Sequence, residues 1–113
     1  MEIVKIDRTK IDDLDLPDNV KEVYYLKNEL ETIGYGFINY GSMKEIEIFI
    51  KDDYRGEEHG KMLFKELYDH FLGDVIHMEI ELENYPMIKI VEEFNGINLG
   101  TNDGIVRYIL KKG

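Results

Sequence analysis

The stretch that most constrains this chain runs from Ile46 to Leu63, where an apolar-alternating segment meets an Arg-Gly loop and then a helical pattern. Alternation at Ile46, Ile48 and Ile50 predicts a strand, and the loop through Arg55, Gly56 and Gly60 delivers it into a helix start. A strand feeding a helix through a glycine loop can present several unpaired backbone N–H groups to one anion, a physically sensible cradle for a phosphate. That points to a ligand of nucleotide type.

Size limits what else the chain can hold. Its 113 residues are expected to form one domain, 1–113, with a single core and little left for a second site. Hydrophobic content of 43% excludes a wholly disordered chain. No apolar run approaches the ~20 residues needed to span a bilayer, so no membrane partner is expected. The start, Met1 to Asp7, lacks the basic-then-apolar layout of a secretion signal and reads as a strand. With no cysteine there is neither a disulfide framework nor a thiolate nucleophile, and the cytoplasm is the expected compartment. A net charge of −10 repels nucleic acid and favours cationic partners: amines, polyamines or a lysine-bearing protein.

Along the chain, residues 2–6 alternate as a first strand, and Leu14, Leu16 and Val20 among scattered Asp predict one short, irregular helix over 12–21 around Pro17. Val23 to Leu26 and Ile33 to Ile38 read as strands joined by a turn at Asn28-Glu29, and Gly41-Ser42-Met43 turns the chain into a strand over 45–50. From 58 to 72 the pattern becomes helical, with Leu63, Leu67 and Phe71 in one stripe. Val75 to Leu82 is a further strand. Asn84 is an N-cap before Pro86, and Met87, Ile90, Val91 and Phe94 form the buried stripe of a second helix closed by Asn95-Gly96. A polar turn at Gly100 to Asp103 precedes a last strand from Gly104 to Leu110.

This order resembles the GNAT N-acetyltransferase superfamily over nearly the whole chain. The family's loop pattern is Arg/Gln-x-x-Gly-x-Gly/Ala; here Arg55 and Gly60 hold its first and last positions, after an aromatic (Tyr54) and before Leu63. A second pattern, a strand aliphatic followed four residues later by Asn, is matched by Ile80 and Asn84. The resemblance implies an α+β fold: a mixed, mostly antiparallel six- to seven-stranded sheet flanked by helices, with a splay between the fourth and fifth strands. It also implies acetyl-CoA as co-substrate, lined by Ile50, Arg55, Gly56, His59, Gly60, Lys61 and Asn84. The implied activity is direct acetyl transfer to an amine, on a small molecule or a protein, with no covalent enzyme intermediate. A homodimer is an assembly that the resemblance allows. The alternative is a GNAT-like module without catalysis that engages a basic partner.

Several positions depart from the family. Glu58 stands where the loop has its inner glycine, beside Glu57, so carboxylates flank the expected pyrophosphate. On the fourth strand, where a general base is often found, Glu45 and Glu47 alternate away from the face of Ile48 and Ile50 and are expected on a solvated face; the base is unassigned. Val91 takes the place of the usual tyrosine acid, which leaves Tyr85 as the nearest phenol. The segment between the first two strands is too short to supply the two helices that usually wall the acceptor. His59, His70 and His77 lack ligand spacing, and the cluster Asp12, Asp13, Asp15, Asp18 lacks the glycine and closing glutamate of a calcium loop, so no metal is expected.

Overall fold

The computed structural model describes residues 1–56 and 58–112; Glu57, one of the two acids of the loop, lies outside the described residues. Seven strands form one sheet: β1 (Glu2–Asp7), β2 (Glu22–Lys27), β3 (Thr32–Tyr40), β4 (Lys44–Ile50), β5 (Val75–Glu81), β6 (Ile97–Asn102) and β7 (Ile105–Lys111). Helix α1 (His59–His70) joins β4 to β5, and α2 (Tyr85–Glu93) joins β5 to β6. The strand order is β1-β2-β3-β4-β5-β7-β6. Every pairing is antiparallel except β4 with β5, which run parallel and meet at one rung, Glu45 with His77. Beyond that rung the two strands diverge, so the expected splay is present.

Alternation decides the two faces. Ile46 and Ile48 on β4, Ile76, Met78 and Ile80 on β5 and Val106, Tyr108 and Leu110 on β7 all join one core with Leu63, Phe64 and Leu67 of α1 and Met87, Ile90 and Val91 of α2. Both helices therefore cover the same face. Close approach of α1 depends on Gly36 of β3, where a Cβ would sit 2.7 Å from Leu67 Cδ1 and 2.9 Å from the Glu47 carbonyl. On the opposite face a smaller cluster of Val20, Val23 and Phe37 is covered by Ile11, Leu14 and Leu16.

Two expectations need correction. The helix expected over 12–21 does not form. A 3-10 turn (Arg8–Lys10) comes first, and the rest is irregular chain whose carbonyls are held by one guanidinium: Arg8 donates to Leu16 O at 2.9 Å, to Val20 O at 2.7 Å and to Pro17 O. Gathered on the Arg8 guanidinium, these carbonyls do not line up as a helical ladder, and Pro17 supplies no donor. The second correction lies near the end of the chain. Residues expected as a polar turn, Gly100 to Asn102, belong to β6, an edge strand that pairs with β7 through a bulge between Asn98 and Gly100. Asp103 and Gly104, with φ of 53° and 76°, make the two-residue hairpin turn, whose paired left-handed residues suit the twist of the flanking strands.

Candidate functional site

The segment from β4 to α1 enters the helix through left-handed backbone. A 3-10 turn (Asp52–Tyr54) carries the chain off β4, then Gly56 (φ 81°) and Glu58 (φ 65°, ψ 7°) both take left-handed conformations. Glu58 thus takes, without being glycine, a left-handed conformation that glycine adopts without strain. The first rung of α1 runs from Met62 N–H to Glu58 C=O at 3.1 Å. The amides of Gly60 and Lys61 stand ahead of that rung, at the positive end of the helix dipole.

Gly60 and Lys61 line a cavity between β4, the loop and α2. Ile48 and Ile50 contribute from β4; Arg55, Gly56, Glu58, Gly60 and Lys61 from the loop and the start of α1; and Asn84, Pro86, Met87, Lys89, Ile90 and Glu93 from α2. Six of the seven residues expected around the co-substrate are therefore brought to one cavity: Ile50, Arg55, Gly56, Gly60, Lys61 and Asn84. His59 is outside it, with its Nδ1 3.0 Å from the Tyr54 carbonyl and its ring edge-on to Tyr54. Tyr85 is also outside, 74% exposed at the first position of α2. A Cβ on Gly60 would lie 3.4 Å from Ile90 Cδ1 and 3.8 Å from Ile50 Cγ1, so any larger side chain there would fill the cavity.

Charge in the cavity is mixed. Lys61 is bound to Glu93 at 2.8 Å; that hydrogen-bonded pair holds the lysine above its ordinary value and the glutamate below its own. Arg55 Nε donates to the Ile50 carbonyl at 3.1 Å and lies 3.4 Å from Asp52. Asn84 accepts from Met87 N–H at 3.3 Å, which caps α2 and leaves its amide nitrogen directed elsewhere. Backbone amides, three cations and a carboxamide fit an elongated phosphate ester better than a neutral or cationic ligand, with Glu58 and Glu93 in opposition.

The far side of β4 carries what the sequence reading undervalued. Glu45 and Glu47 do point away from the cavity, but they are half-buried and not freely solvated. Burial pushes the Glu47 carboxyl up, helped by Glu45 and Glu79; burial and Glu79 push Glu45 up, opposed by His77. The signal was the alternation itself. Cross-strand neighbours on β5, which set the local field, are not visible in it. Beside these acids, Tyr35 stacks on Phe49 at 4.9 Å, next to Phe37 and Tyr25.

No protein-family model matches the sequence, and no curated protein matches it. Solved structures do match by shape. An IAA acetyltransferase from Bacillus cereus superposes with a TM-score of 0.77 at 11% identity, over 98% of this chain and 99% of that one. A ribosomal-protein-alanine N-acetyltransferase from Brucella melitensis gives 0.68 at 16%, over 84% and 70%. The yncA protein from Salmonella typhimurium, solved with its cofactor acetyl-CoA, gives 0.67 at 16%, over 80% and 64%. The chain spans about two thirds of the length of several such neighbours. This protein has the GNAT N-acetyltransferase fold: a mixed seven-stranded sheet, a parallel β4-β5 pair that splays, and a helix entered through a left-handed loop.

Proposed function

We propose that the protein is an acyl-CoA-dependent N-acetyltransferase. The observation that carries the reading is the convergence of Ile50, Arg55, Gly56, Gly60, Lys61 and Asn84 on one cavity beside the β4-β5 splay. In this reading the amides of Gly60 and Lys61 bind the pyrophosphate, supported by Arg55 and Lys61. Ile50 offers its backbone to the pantetheine arm, and the Asn84 amide meets that arm from α2. The thioester, once bound, supplies an activated acyl carbonyl. An amine approaches from the opposite face of the sheet, where Glu47 accepts its proton; its nitrogen attacks the acyl carbonyl, the C–S bond breaks, and the coenzyme leaves as a thiolate that takes up a proton from solvent, while burial raises the affinity of the Glu47 carboxyl for the proton it receives. Tyr85 has no part in this arrangement, because it is set outside the cavity.

The acceptor is an amine of a small molecule or a protein. With only a 3-10 turn and irregular chain over 8–21 to wall that face, an extended acceptor such as a protein terminus fits better than one needing enclosure. A second reading, a non-catalytic module for a basic partner, draws support from Glu58 and Glu93 in the cavity.

Thermal unfolding with increasing acetyl-CoA separates the two. A saturable rise in melting temperature, equivalent to about 2.7 kcal/mol at a hundred times Kd, is the expected result. No shift at millimolar acetyl-CoA favours the binding module. The proton role has its own test in Glu47→Gln, which should abolish most turnover while leaving the acetyl-CoA-induced shift intact. The same variant has a pH signature. The folded state holds this proton more tightly than an ordinary glutamate with a pKa of 4.5, so the carboxyl favours the fold fully below that value and progressively less as pH rises through its raised one. Glu47→Gln should therefore raise the melting temperature at pH 8 and leave it nearly unchanged at pH 4.

A further inference from the structure

Arg55 lines the cavity, and its side chain already has an acceptor. Lys51 N–H bonds to the Ile33 carbonyl at 2.9 Å, so by antiparallel alternation the N–H and C=O of Ile50 turn away from β3 and face the gap that β5 has left. That carbonyl accepts from Arg55 Nε at 3.1 Å, with Asp52 3.4 Å from the same nitrogen. The backbone acceptor facing the splay is thus covered by a cation of the loop that leads into α1.

We propose that Arg55 is a switch that couples the two ends of a bound coenzyme: it covers the Ile50 carbonyl until a phosphate at the α1 start draws it away. The inference rests on the acyl-CoA reading above. A neutral pantetheine amide competes poorly for a carbonyl that already accepts from a charged donor. A pyrophosphate offers the guanidinium a bidentate, doubly charged partner, which outcompetes both the carbonyl and Asp52. Arg55 is largely exposed, so the side chain swings without disturbing the core. Linkage is reciprocal: pyrophosphate tightens pantetheine, and pantetheine tightens pyrophosphate by the same factor. The site then favours ligands that carry both ends and discriminates against free pantetheine.

The experiment is a titration of the full chain with pantetheine, followed by amide shifts, with and without saturating inorganic pyrophosphate. The expected result is pantetheine binding about fivefold tighter or more when pyrophosphate is present. In Arg55→Ala the coupling should vanish, and pantetheine alone should bind as tightly as it does to the wild type with pyrophosphate. Arg55→Gln, which keeps the length of the side chain, gives the same test without a truncation. Wild-type binding of both fragments with no mutual effect, or coupling that survives in both variants, overturns the switch while leaving the acyl-CoA reading in place. Failure of intact coenzyme A to bind at all overturns both.

Discussion

Helices α1 and α2 lie on the same face of the sheet and bury similar apolar stripes, yet they begin in opposite ways. At α2, Asn84 caps the first turn through its side chain and Pro86 sits where no N–H is needed. At α1 the N-cap position belongs to Glu58, left-handed and making no side-chain cap bond. A left-handed non-glycine residue costs about 1–2 kcal/mol, and an absent cap forgoes about 1 kcal/mol more. Burial cannot account for the difference. The start of α2 is arranged for stability, whereas that of α1 keeps its amides open over a cavity at a cost to stability.

Substitutions at the two helix starts test whether the open start of α1 serves a ligand. Gly60→Val has the largest expected effect: its methyl groups would enter the space between Ile50 and Ile90, weakening coenzyme A at least about tenfold, or 1.4 kcal/mol, in calorimetric titration. A full loss of folding instead would make Gly60 a packing glycine and remove the contrast. Glu58→Gly comes next. Relief of the left-handed strain, less the added freedom of the unfolded chain, should stabilise the protein by up to about 1 kcal/mol in urea unfolding. The same change should tighten coenzyme A, because one carboxylate leaves the cradle. Asn84→Ala should cost about 1 kcal/mol of stability through the lost cap. Smallest of all is Asn84→Asp, which keeps the capping oxygen: stability should hold within about 0.5 kcal/mol, while coenzyme affinity should fall through both the lost amide nitrogen and the added carboxylate.

Much of this was legible in the residues, for physical reasons that can be named. Asn84 followed by Pro86 is a local signal for a local structure, and the cap forms as the sequence implies. The stripes of α1 and α2 and the alternation of β4 report burial on one face, which is what periodicity measures. Residues 12–21 misled because apolar spacing there reflects packing on Val23 and Phe37, while the backbone answers to Arg8, a partner several residues away. Strand β6 carries no buried residue, so its pattern is silent; the Asp103-Gly104 pair was the available sign of a hairpin. In the site, the loop residues were readable from their motif. The competition of Asp52 and Glu93 for its cations, and the elevated carboxyls of β4, depend on contacts across the chain that no spacing encodes.

The lone rung between β4 and β5 leaves the sheet as two leaves, one of four strands and one of three, that share one apolar core with both helices. Alternation turns the amides of Ile48 and Ile50 toward the seam with no strand to receive them. Their hydrogens should trade with solvent deuterium far faster than those of β3 or β7, and slow once something bridges the leaves. Isotope exchange at two backbone positions thus gives a direct gauge of occupancy, usable before any acceptor is known.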